Sequence, residues 1–169
     1  MAHIIIKSKY AASVWDVKLI DKTKENMHSC GAYTVTALAG VVKKSSADFN
    51  ADSALKLKGL NKKVVDNDCV INALIENTGL NRDELQRLAK SNSSDDWPLD
   101  IKVEFPNSPH SLLFIEGFKH FDKQSLAIDS MVRTGVLLPS QAKQLQKRFV
   151  RPIRSFMQQT AETIKSLKK

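Results

Sequence analysis

The sequence predicts an α+β fold: a small mixed β-sheet or meander with short packing helices, followed by a C-terminal amphipathic basic helical segment. Three observations carry this. Leu99, Ile101, Val103 and Phe105 alternate with Asp100, Lys102 and Glu104, the period of a strand with one buried face. Asn81 with Glu84 three residues later opens a helix in the manner of a capping box. From Pro139-Ser140 onward, Ala142, Leu145, Phe149, Ile153, Phe156, Met157, Thr160, Ile164 and Leu167 recur every three or four residues, as on a long amphipathic helix.

The remaining elements follow in chain order. Residues 3–7 read as a strand, and so does 14–20, where Trp15, Val17 and Leu19 alternate with polar neighbours. Asp21 to Ser29 is polar and loop-like. Residues 33–38 are β-branched at strand density, with alanines that leave a helix open. For residues 45–57, Ser46 can cap a helix through Phe49 and Ala54, while residues 54–58 alternate like a strand. Asp66 or Asp68 can cap a helix over Cys69–Glu76, which Gly79 stops, and the Asn81 helix turns Leu85 and Leu88 inward through Lys90. After the strand at 99–105, Pro106–Pro109 reads as a turn, residues 111–116 as a buried strand, and Gly117 as a turn into 118–121. Asp122 caps a helix that ends at Gly135, and Pro152 must kink or break the long helix beyond it.

With 169 residues the chain holds one domain, or one domain with a tail. Apolar residues at 42% and charged ones at 26% fit a globular protein and exclude disorder throughout, collagen and coiled coil. No apolar run reaches the roughly 20 residues that cross a bilayer. Two distant cysteines, Cys30 and Cys69, are too few for a disulfide framework, and Met1–Lys7 lacks the form of a secretory leader, so a cytoplasmic setting is expected.

The formal net charge of +8 has a location. Of 26 Lys and Arg and 18 Asp and Glu, nine and one respectively fall in residues 130–169, leaving 17 of each sign in residues 1–129. The nine cations are Arg133, Lys143, Lys147, Arg148, Arg151, Arg154, Lys165, Lys168 and Lys169, and the single acid is Glu162. This divides the chain into a near-neutral body, 1–129, and a basic helical tail, 130–169, with the body expected to fold alone. Cations gathered on one segment attract polyanions, and Arg and Lys meet phosphates well. Aromatics are only 7% of the residues, and no aromatic–basic strand is present, so base-specific readout is not expected. The bland alternative is that an amphipathic helix always has a solvated charged face. A third reading has the apolar stripe of the C-terminal helices holding a homodimer through Phe149 and Phe156.

A compact body with a basic tail is similar in size and layout to the minor core and packaging cofactors of double-stranded RNA bacteriophages, the cystoviruses. That resemblance implies a non-enzymatic, RNA-binding accessory protein of a larger protein assembly. RNA would then be favoured over DNA, and the setting would be the host cytoplasm or the virion interior.

A local motif suggests a different chemistry. In Asp66-Asn67-Asp68-Cys69-Val70-Ile71, a cysteine opens a helix, where the dipole favours thiolate. The stretch resembles the nucleophile motif of papain-like cysteine peptidases, in particular ovarian-tumour deubiquitinases. The resemblance implies Cys69 as nucleophile, His110 as base and Asp122 as the residue that orients it. The alternative is a packed thiol whose neighbouring aspartates cap its helix. Cys30, in His28-Ser29-Cys30-Gly31, has no Cys-x-x-Cys or His-x-x-x-His companion, so neither a metal nor a cofactor is implied.

Overall fold

The computed structural model describes residues 1–26 and 29–167. His28, beside Cys30, and the tail lysines Lys168 and Lys169 lie outside the described residues. The fold is α+β, mostly helical, with a single two-stranded antiparallel sheet among the described residues. The chain runs β1 (Ala2–Ile6), α1 (Lys9–Trp15), a 3-10 turn (Val17–Leu19), α2 (Gly31–Lys44), α3 (Ala47–Asp66), α4 (Asp68–Glu76), α5 (Arg82–Ser91), β2 (Ile101–Phe105), α6 (Pro109–Arg133) and α7 (Pro139–Leu167).

The clear strand signals held. β1 pairs with β2 in a register that sets Ile4 against Val103 and Ile6 against Ile101. Ile4, Ile6, Val103 and Phe105 are buried, while His3, Ile5, Lys102 and Glu104 face outward, so one alternating face meets the core. The helix-end signals held at α5 and at the two glycines but not at α4, whose N-cap is Asn67 with no side-chain cap from Asp66 or Asp68; Leu88 of α5, expected to turn inward, is exposed. Asn81 accepts from the Glu84 amide and Glu84 returns the contact to the Asn81 amide, a complete capping box. Gly79 and Gly135 take φ of +72° and +77°, a conformation open to glycine at helix ends.

The expected meander is absent among the described residues. Residues 14–20 end α1 and enter the 3-10 turn, 33–38 lie in α2, and 54–58 lie in α3. Residues 111–116 and 118–121 are both inside α6. The reason is visible in α6, where Ser111, Phe114, Ile115, Phe118, Phe121 and Ser125 are all buried, a helical spacing. Pro109 sits in the first turn, where its missing N–H costs nothing, and Ser108 caps the helix. Gly117 makes no turn. A Cβ there would lie 2.3 Å from Asn61 Oδ1, so glycine lets α3 and α6 approach closely. Asn61 secures the contact by donating to the Leu113 carbonyl, 2.9 Å away.

α6 is the central element, touching α2, α3, α5 and α7. The expected boundary at 129/130 falls inside it. Leu137, Ala142, Phe149, Val150, Ile153 and Met157 join the same core as Trp15, Val35, Leu57 and Phe118. Residues 130–167 therefore belong to the folded body and are no appended tail. Pro152 does not break α7, which continues through it to Leu167. Phe149 is fully buried, and Phe156 stacks on Phe114 with ring centroids 5.9 Å apart. Phe149 is thus spent inside the chain, while Phe156 is partly buried against Phe114.

Candidate nucleic-acid interface

α7 lays its apolar side on α2, α3 and α6 and presents the other side to solvent. Along that outer side lie Lys143, Lys147, Arg151, Arg154 and Lys165, spaced by whole helical turns. At 100° per residue they fall within about 80° of one another, and at 1.5 Å per residue the stripe is about 33 Å long. Arg148 widens it on one side. All are exposed except Arg154, which is half-buried. Burial pushes the Tyr10 phenol up, and Arg154 beside it draws it part of the way back.

The ion pairs among the described residues leave this stripe untouched. Arg133 is the exception among the expected phosphate-binding residues. Its guanidinium donates to both Asp95 oxygens, at 2.7 and 3.1 Å, and to Asp129 at 3.2 Å. It also stacks 4.8 Å from the Trp97 ring centre, whose indole N–H donates to Asp129. Arg133 thus fastens the loop before β2 onto the end of α6 and has little left for a phosphate. Asp95 is drawn below the usual carboxyl value chiefly by Arg133's hydrogen bond.

Cys69, His110 and Asp122 are not brought together. The Cys69 thiol contacts the Asp66 carbonyl at the C-terminal end of α3, and His110 Nε2 bonds the Asn50 carbonyl near its N-terminal start. Sixteen residues of helix, about 24 Å, separate those two anchors. Asp122 stands twelve residues, about 18 Å, along α6 from His110. It accepts from the backbone amides of Lys7 and Ser8, at 3.0 and 2.9 Å, and so caps the passage from β1 into α1 instead of starting a helix. Burial raises its pKa, and those two amides offset part of the rise. A base must lie within hydrogen-bond reach of its nucleophile, so the peptidase arrangement is not formed.

Cys69 has other neighbours. Asp68, the residue before it, contacts His120 Nε2, accepts from Gln124 Nε2 at 2.9 Å and lies 3.8 Å from Arg82. Burial pushes Asp68 up, but Gln124, His120 and Arg82 together outweigh it and hold its carboxyl below the ordinary value. His120 and Gln124 are one turn apart on α6, a relation hidden while 118–121 reads as a strand. No group of three or more metal-ligating side chains is found among the described residues. No described helix is long and apolar enough to cross a membrane. Comparison with protein-family models, curated proteins and solved structures found no match.

Proposed function

We propose that this protein is a non-enzymatic nucleic-acid-binding accessory or assembly protein that holds phosphates along the outer face of α7. The observation that supports it is the row of five cations on one helix face, none in an ion pair among the described residues. Each turn of α7 from Lys143 to Arg154 offers roughly one positive charge per 5–6 Å. Neutralising several phosphates releases counterions, and the resulting affinity is indifferent to sequence. A rigid helix held by its own core fits that task, since its cations are ordered before the ligand arrives.

RNA is proposed over DNA, and a viral core or RNA-packaging role within a larger protein assembly is proposed with it. Both follow the resemblance to cystovirus cofactors in size and in the C-terminal placement of the charge; the expected loose tail is not shared, since the cations lie on a packed helix.

The test is fluorescence anisotropy with a labelled RNA duplex and a DNA duplex of equal length. The Lys143→Gln/Lys147→Gln/Arg151→Gln variant should keep the wild-type circular dichroism and bind RNA at least about tenfold more weakly. Unchanged RNA affinity in that variant would overturn the proposal. DNA binding tighter than RNA binding would overturn the choice of RNA.

A further inference from the structure

A second cationic surface lies on the opposite side of α6 from α7. Lys119, Lys123, Leu126 and Ala127 of α6 share one face, about 200° of helical rotation from Phe121. Together with α4, α5 and the end of β1 they wall a cleft of about 370 Å³, a volume suited to a small ligand. Its floor is aliphatic: Ile75, Leu85, Leu126 and Ala127 are each at most 8% exposed. Its rim is charged, with Lys7, Arg82, Lys119 and Lys123 around the opening.

The acids at this cleft do not cancel the cations. Asp122 is held by the Lys7 and Ser8 amides and Asp83 lies on the rim, two acids against the four cations Lys7, Arg82, Lys119 and Lys123. Arg82 is steadied from behind by Asn72 at 3.1 Å and Asp68 at 3.8 Å. Lys7, Lys119 and Lys123 form no ion pair among the described residues. The lining holds no aromatic ring to stack on a nucleobase.

We propose that this cleft binds a small organic anion with one phosphate or carboxylate head and a short aliphatic body. The head meets the lysines at the rim, with Arg82 as the oriented fork, and the body covers the Leu85–Leu126 floor. The site is independent of the α7 stripe, and so is its test. Full-length protein is titrated calorimetrically with octyl phosphate, octanoate, inorganic phosphate and octanol, each below its micelle-forming concentration. Octyl phosphate or octanoate should saturate one site per chain, the tighter of the two naming the head group, with inorganic phosphate and octanol each at least about tenfold weaker. Lys119→Ala/Lys123→Ala, both exposed positions, should lose about tenfold in affinity, while Lys143→Gln/Lys147→Gln/Arg151→Gln should leave it unchanged. The inference is overturned by failure of both amphiphiles to saturate, by inorganic phosphate or octanol binding as well as they do, or by wild-type affinity in the Lys119/Lys123 variant.

Discussion

Gly117 shows how a single residue can carry opposite meanings in sequence and in space. On an exposed helix, Gly→Ala stabilises by about 1 kcal/mol, because alanine loses less backbone freedom on folding. Here the new methyl would meet Asn61 and cost the Asn61–Leu113 hydrogen bond. Gly117→Ala should therefore destabilise, by roughly 1–3 kcal/mol, as crowding a packed contact does; a urea melt reads the sign directly. Asp68 makes a second prediction, on pH. Its folded pKa is lowered, so its contribution is present above the ordinary value of 3.8 and is lost as pH falls through the folded value. Asp122, raised by burial, acts with the opposite sign and favours the folded state as it takes up its proton. Asp68→Asn should flatten the acid limb of stability against pH, measured by urea midpoints between pH 2 and 6.

At the scale of the element, what could be read depended on whether one signal was complete within a short window. β2 and α5 were legible because alternation at 99–105 and the Asn81–Glu84 box are local and unambiguous. The meander expectation fails because six residues such as 111–116 fit a buried strand as well as a buried helix turn. Reading Gly117 as a turn then cut the window before Phe118 and Phe121 could complete the helical spacing. In α2 the β-branched Thr34 and Val35 hid the same period, for Gly31, Thr34, Val35 and Leu38 are all buried on one side. The candidate interface was legible in part. The cations of α7 and their common face could be read from spacing, but Arg133's capture by Asp95 and Asp129 joins residues far apart in sequence. For α7 itself, Phe149→Ala should cost about 3–5 kcal/mol, since its ring is fully enclosed. Lys147→Gln, on the outer face, should stay within about 0.5 kcal/mol of wild type in the same melt.

Across the whole molecule, charge asymmetry and chain architecture turn out to be separate matters. The excess positive charge lies after residue 129, yet the fold has no seam there, because α6 crosses the point and α7 closes the core. Removing residues 130–169 would strip Phe149, Ile153 and Met157 from the core they share with Phe114 and Phe118, and the truncated chain should not fold cooperatively. A sharp thermal transition in the 1–129 fragment, followed by circular dichroism, would contradict that packing. For this reason the nucleic-acid reading is better tested by neutralising surface charge on the intact chain than by deletion. The most direct measurement is the salt dependence of RNA-duplex affinity for wild type and for Lys143→Gln/Lys147→Gln/Arg151→Gln. Three lost phosphate contacts should make the slope of log K against log salt shallower by about 2–3, at roughly 0.7–0.9 per contact. Equal slopes for the two proteins, or wild-type binding that ignores salt, would contradict the account.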